Sequence, residues 1–374
     1  MTPARKNLNA TLSKRALNRA LLARQMLLER ETVTPLAAIE RLVGLQAQIP
    51  RPPFTGLWTR LKNFDREDLL RLLREKKAVR ATAFRGTIHL MSTKDFLAMR
   101  PLLSEMLERG ASSVVARRLG GVDVASLREE GRSFFAKTPG PFDTFRVHLE
   151  SRFPKLDVRA MAYTVRMGVP LVMHPSNVTW GFSSNADFGL AERWLGAKFP
   201  AKPMTLDDLV LRYLAAFGPA TPGDAQTWSG LRGLRVVFER LRPRLATFKD
   251  EHKRELFDLP GAPRPDEDTP APIRFLPEFD NALLSHDDRT RIVADEHRTS
   301  VFTTNLQVVG TFLVDGFVAG TWKAMRKTKS ATLTLKPLAS PPKKTMAALE
   351  TEGEALLKFL EPDASTSAVR MEKS

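Results

Sequence analysis

Along the chain, apolar residues recur at every third or fourth position in three separate stretches, and each stretch runs into a segment where apolar and polar residues alternate. In the first, ALNRALLARQMLL and TPLAAIERLVGLQ read as amphipathic helices, the second opened by the cap and first-turn pair Thr34-Pro35. FDREDLLRLLREK reads as a third helix and VRATAFRGTIHLMS as a hairpin. The second stretch is fainter. SLREEGRSFFAK, FDTFRVHLESRF and VRAMAYTVRMG predict helices, and VPLVMHPSNVTWGF predicts two strands about a Pro-Ser-Asn turn. The third is the clearest: TLDDLVLRYLAAFG has Thr205 as a cap with Asp208 three residues on, and stops at Gly218-Pro219. TPGDAQTWSG and LRGLRVVFERLRPRL follow as helices, then LATFKDEHKRELFDLP as strand, charged turn, strand.

Helices followed by a hairpin is the winged-helix order. Its repetition predicts an α+β chain of three tandem winged-helix (helix-turn-helix) units, over 1–110, 111–202 and 203–285. Past the Pro-rich loop GAPRPDEDTPAP, residues 286–374 change character. RTRIVA, VFTTNLQVVGTFLVDGFVAGTWKAM and SATLTLKPL are β-rich, with Asp315-Gly316 as a hairpin turn, and predict a small C-terminal β-barrel. KTMAALETEGEALLKFL closes the chain as a helix, with a frayed tail expected from Glu361.

Composition narrows the function. The 374 residues are 43% hydrophobic and 27% charged, as in a soluble globular protein. No run reaches the roughly 18 apolar residues of a membrane helix, and the basic N-terminus lacks the apolar core of a signal peptide. There is no cysteine, which removes disulfides, thiol catalysis and cysteine-ligated metal, and points to a reducing cytoplasm. The net charge of +16 points to a polyanion, nucleic acid first. Residues 1–30 hold seven basic residues (Arg5, Lys6, Lys14, Arg15, Arg19, Arg24, Arg30) against Glu29 alone, and 323–344 hold seven with no acid. Such blocks are either solvated faces or phosphate-contacting ones. No phosphate-binding loop or dinucleotide fingerprint is present, so no nucleotide cofactor is expected. His286-Asp287-Asp288 is the one cluster with metal-ligand chemistry, and adjacent loop residues rarely converge on an ion; a polar turn is the simpler reading, and no metal is expected.

The most informative short stretch is Gly44-Leu45-Gln46-Ala47-Gln48-Ile49-Pro50. The prolines that follow force the chain out of its helix, so Gln46 and Gln48 project the same way, as alternate residues of a strand do. Two amides side by side suit either catalysis or the capping of loose helix carbonyls. In the hairpin, Arg80, Arg85 and His89 are candidates to meet DNA, with Arg85 and His89 on one face; the plainer alternative is an ion pair and a half-buried histidine. Lys323, Arg326, Lys327 and Lys329 are candidates to grip the duplex backbone. Trp58 and Trp228 sit at helical spacing among leucines, as core residues do.

Through LNRALLARQ, GLQAQIPRPPFTGLWTRL, RGTIHLMS, LRYLAAFGPAT with TWSGL, and LPEFDNALLSHDDRTRIV, the chain resembles the winged-helix family of bacterial DNA glycosylases of the AlkZ and YcaQ type, over about residues 13 to 340. The resemblance implies three winged helices with a β-barrel, and excision of alkylated purines, crosslinks included. It also implies a catalytic Gln–apolar–Gln segment, which Gln46 and Gln48 match with Ala47 between them. Chemistry restricts the substrate. Glycosidic cleavage ordinarily uses an acid on the leaving group and a carboxylate by the oxocarbenium. Glutamine cannot titrate, so it suits bases that arrive cationic, such as N7-alkylguanine, which leave without protonation. The partner expected is double-stranded DNA, bound by a monomer in the cytoplasmic nucleoid. The competing reading is a non-catalytic winged-helix regulator or nucleoid-associated protein.

Overall fold

The computed structural model describes residues 10–372; Arg5 and Lys6 of the basic lead lie outside them. β1 (Thr11–Leu12) leads into α1 (Lys14–Arg24), capped by the Ser13 hydroxyl, which accepts from the Ala16 amide at 3.0 Å. α2 (Pro35–Arg41), β2 (Leu45–Gln46), α3 (Pro52–Trp58) and α4 (Arg66–Arg74) precede the hairpin of β3 (Ala78–Thr82) and β4 (Ile88–Ser92). α5 (Thr93–Val115) then runs unbroken through the boundary expected at 110.

α6 (Val124–Lys137), α7 (Phe142–Arg152) and α8 (Val158–Gly168) follow, then β5 (Leu171–Met173), β6 (Phe188–Leu190) and α9 (Ala191–Leu195). The second strand here lies some ten residues beyond the expected hairpin, because Pro175-Ser176-Asn177 opens a long loop instead of a tight turn. β5 pairs with β3, so the first two stretches share one sheet of order β2-β4-β3-β5-β6. Their apolar faces merge accordingly, with Leu45, Ala47, Phe54 and Ile88 in one core with Phe145, Val165 and Phe182.

The third stretch begins with α10 (Leu206–Phe217) and α11 (Pro222–Ser229), each opened by a reciprocal capping box, Thr205 with Asp208 and Thr221 with Asp224. α12 (Leu234–Leu241) and the hairpin of β7 (Ala246–Asp250) and β8 (Glu255–Asp258) complete it, and β1 joins that hairpin parallel to β7.

The C-terminal region corrects the sequence reading most. β9 (Arg274–Leu276), α13 (Asn281–Leu284), α14 (Arg298–Val301), β10 (Thr311–Val314), β11 (Phe317–Lys327), β12 (Ser330–Pro337), α15 (Lys343–Leu360) and β13 (Thr366–Met371) make an open five-stranded sheet, β13-β12-β11-β10-β9, not a closed barrel. α15 crosses over the sheet and returns the chain as β13 parallel to β12, so the two edge strands stay apart. The tail expected to fray is that edge strand. RTRIVA is not a strand, because the Asp288 carboxylate accepts from the amide and hydroxyl of Thr290 at 3.0 and 2.7 Å, a side-chain turn that stops extended pairing.

The basic face of α1 is also corrected. Arg24 is 1% exposed and forms a two-pronged pair with Asp258 of β8 at 2.7 and 2.8 Å. Arg15 and Arg19 both bond Asp315 in the β10–β11 turn, and Arg30 pairs with Glu352 of α15. Arg15, Arg19 and Arg24 cross-link α1, and Arg30 the loop after it, to the third stretch and the C-terminal region.

Candidate active site

The glutamine segment is built by a sharp exit from α2. Val43 and Gly44 both take positive φ, 55° and 85°, which swings the chain from the helix into β2. A Cβ at Gly44 would stand 3.0 Å from the Met91 side chain and 3.1 Å from the Leu90 carbonyl oxygen, so the position needs glycine twice over. β2 then runs antiparallel to β4 with Gln46 opposite His89, and the Ala47 amide donates to the Ile88 carbonyl at 2.7 Å. From the C-terminal region, the Asn281 amide donates to the Gly44 carbonyl at 2.6 Å and fixes the turn from behind. Ala47 is fully buried and anchors the strand between the two glutamines.

Gln46 is 7% exposed, and its side-chain oxygen accepts from Arg85 Nη2 at 2.8 Å. Gln48 is exposed at the surface, and its oxygen accepts from the Ile88 amide at 3.2 Å. Both amides therefore turn their oxygens toward the β3–β4 hairpin. Among the described residues, neither Nε2 has a protein hydrogen-bond partner.

The three hairpin candidates separate. Arg80 is 4% exposed, and its guanidinium donates to the Ala47 and Gln48 carbonyls at 2.8 and 3.1 Å, 5.0 Å above the Phe182 ring. It clamps the backbone of the glutamine segment and does not reach an exposed phosphate surface, which corrects its placement. Burial, then the Arg166 charge, lowers its pKa to about 10, so it stays cationic at neutral pH. His89 is likewise inside. Its Nδ1 donates to the Thr87 carbonyl at 3.1 Å, and its pKa falls to about 3, from burial first and then the Arg85 charge. It is neutral and edge-on to Phe84. Only Arg85 is half-exposed. It sits at φ 55° in the hairpin loop, which breaks the alternation that would have put it on one face with His89. Besides Gln46 it bonds the Trp228 carbonyl at the end of α11. Burial, then the Arg289 charge, lowers its pKa to about 10.

Arg289 was not legible as a site residue. Its guanidinium lies 4.2 Å above the Phe302 ring, its Nε is buried without a partner, and its charge acts on Arg85. Neither arginine forms an ion pair with a carboxylate among the described residues; Asp287 acts on Arg289 only at longer range. His286-Asp287-Asp288 holds no metal geometry: His286 is buried between the Phe217 carbonyl and the Ser285 hydroxyl, and Asp288 pairs with Arg254. Trp228 is a core residue, 4% exposed.

On the C-terminal sheet, Lys323, Lys327 and Lys329 are exposed. Lys323 lines a groove of about 600 Å³ with Trp322, Met325, Lys336 and the stretch 307–310. Arg326 points to the opposite face and bonds Glu361 at 3.3 Å and the Asp363 carbonyl at 3.2 Å, so it holds the turn after α15 and does not face the groove. Arg51 ties the groove to the glutamines. Three residues from Gln48, it pairs with Glu278 at 2.7 Å and lies 6.0 Å from the Trp322 ring centre.

Known proteins share this fold. The interstrand DNA cross-link repair glycosylase of Streptomyces sahachiroi is 26% identical over 329 residues, covering 80% of this chain and 85% of that protein. The solved structure of the Streptomyces sahachiroi DNA glycosylase AlkZ superposes with a TM-score of 0.78 at 22% identity, over 97% of this chain and 100% of that one. A family model described as DNA glycosylase AlkZ-like matches residues 39–359, a span that holds both glutamines and the β3–β4 hairpin. The chain belongs to the AlkZ-like family of DNA glycosylases.

Proposed function

We propose that this glycosylase hydrolyses the N-glycosidic bond of purines that alkylation has made cationic, of the N7-alkylguanine type, in duplex DNA, and that it unhooks interstrand crosslinks built on such bases, as the name of its Streptomyces relative suggests. Gln46 and Gln48 orient the attacking water. Each side-chain oxygen keeps a second lone pair after its bond to the hairpin, and that lone pair accepts from water aimed at C1′. The carbonyl dipoles then face the developing oxocarbenium. The observation that carries this reading is the make-up of the site: among the described residues the side chains bonded to the glutamine segment are Arg80, Arg85 and the amide of Asn281, none of which protonates a leaving base at neutral pH. A base that already carries its positive charge departs without an acid.

Arg85, with Arg289 behind it, meets a phosphate of the bound strand, and Lys323, Lys327 and Lys329 grip the backbone along the sheet. The phosphate offsets the two positive charges that would otherwise oppose a cationic sugar. The three helix-and-hairpin stretches, up to residue 285, act as winged-helix units, and the region from 286 faces the duplex as an open sheet. The working form is a monomer in the cytoplasmic nucleoid; no helix among the described residues is long and apolar enough to cross a membrane. Release of free base from duplexes carrying N7-methylguanine or uracil tests the reading. N7-methylguanine released at least about 100-fold faster than uracil is expected, and comparable rates contradict it.

A further inference from the structure

Leu306 is 87% exposed, more than any other large apolar side chain among the described residues. It is also held at φ 58°, a conformation that favours Gly or Asn and disfavours a branched apolar residue. The chain enforces this presentation. The Thr303 amide donates to the Gln307 carbonyl at 2.9 Å, the Gln307 amide to the Thr303 hydroxyl at 3.2 Å, and the Leu306 amide to the Thr303 carbonyl at 3.0 Å, which closes a tight loop with Leu306 at its tip. The base of the loop is a bridge between Phe302 and Val308.

That loop stands at the join between the basic groove and the glutamines. Phe302 lies under Arg289, whose charge acts on Arg85, the partner of Gln46. Val308 accepts from the Phe279 amide at 3.3 Å, beside Glu278, which Arg51 neutralises. Gln307 and Val308 then line the groove with Lys323, Lys336 and the half-exposed Met325, and Glu372 is its other acid. An apolar tip beside a lysine-lined groove has the chemistry of a side chain that enters a base stack while cations hold the phosphates. A water-facing leucine serves a soluble surface in no comparable way.

We propose that Leu306 is a DNA wedge. On binding, it inserts between base pairs next to the lesion, unstacks them, and opens the glycosidic bond to the water held by Gln46 and Gln48. This deepens the glycosylase reading and rests on it for the duplex as ligand.

The test uses the full chain and a duplex with 2-aminopurine flanking an N7-methylguanine, followed by fluorescence on binding and by single-turnover base release. Wild type is expected to raise the fluorescence several-fold. Leu306→Asn, which relaxes the loop, should keep or raise the melting temperature while abolishing the rise and slowing release about tenfold, with duplex affinity within about threefold. Leu306→Met should restore both. An unchanged fluorescence rise and release rate in Leu306→Asn overturns the wedge. If wild type unstacks the duplex but releases no base, the wedge stands and the proposed reaction fails. If it releases base with no fluorescence change, the reaction stands and the wedge fails.

Discussion

Gln46 and Gln48 have no charge to lose at any pH, so in this reading the charges that matter belong to the residues holding them. Arg85 fixes the Gln46 amide, and Arg80 fixes the backbone carbonyls of Ala47 and Gln48. The two should separate experimentally. Arg85→Ala is expected to lower single-turnover release about 10- to 100-fold and to cost about 1–3 kcal/mol, because both the Gln46 amide oxygen and the Trp228 carbonyl lose a donor. Arg80→Ala strips two buried carbonyls of their donor and should cost about 2–4 kcal/mol, read by chemical unfolding. His89 makes the stability pH-dependent. Unfolded, it takes a proton near pH 6.5; folded, burial and then Arg85 hold it neutral to about pH 3. The unfolded chain therefore binds more protons between those values, and stability falls as the pH drops through that window, by about 1.4 kcal/mol per unit. At pH 5 this histidine alone removes about 2 kcal/mol, and His89→Gln should lessen the slope of that part of the profile, the buried His286, also lowered to about 3, keeping the rest.

At the scale of elements, the glutamine strand depends on its entry turn. Gly44→Ala meets both an unfavourable φ and the Leu90 carbonyl, and should cost about 1–3 kcal/mol and reduce base release with it. Local signals carried much of this architecture. The capping boxes of α10 and α11, the Gly218-Pro219 stop and the prolines after Gln48 act over a few residues, and they were readable because their partners are adjacent in the chain. Non-local pairings were not. β5 finds β3 across some ninety residues, and β13 finds β12 only after α15, so neither the sheet shared by the first two stretches nor the open edge in place of a barrel was readable. The arginines of α1 read as either a solvated or a phosphate-contacting face because their acids, Asp258 and Asp315, lie more than 230 residues away. Arg24→Ala should therefore destabilise by about 2–4 kcal/mol, because buried Asp258 keeps only its second partner, Arg264, and the Leu214 and Pro263 carbonyls lose their donor.

For the whole molecule, the net charge of +16 already subtracts the acids that Arg15, Arg19, Arg24 and Arg30 pair with, so the excess available to DNA lies on other residues. The salt dependence of duplex binding should reflect only the phosphates met by Arg85 and the exposed sheet lysines, at a log–log slope of about 0.9 for each. Lys323→Gln and Lys327→Gln should each reduce that slope by about one, while Arg326→Gln, whose side chain faces Glu361, should leave it unchanged. Phosphate contacts give affinity without chemistry, and the central claim is that the chemistry rests on two neutral amides. Its most direct test is single-turnover release of N7-methylguanine from duplex DNA by wild type and by the Gln46→Ala, Gln48→Ala double variant, with melting temperature and duplex affinity measured alongside. Release reduced by at least about 100-fold, with both of those retained, is the predicted result. Release within a few-fold of wild type by a folded, DNA-binding double variant would contradict it.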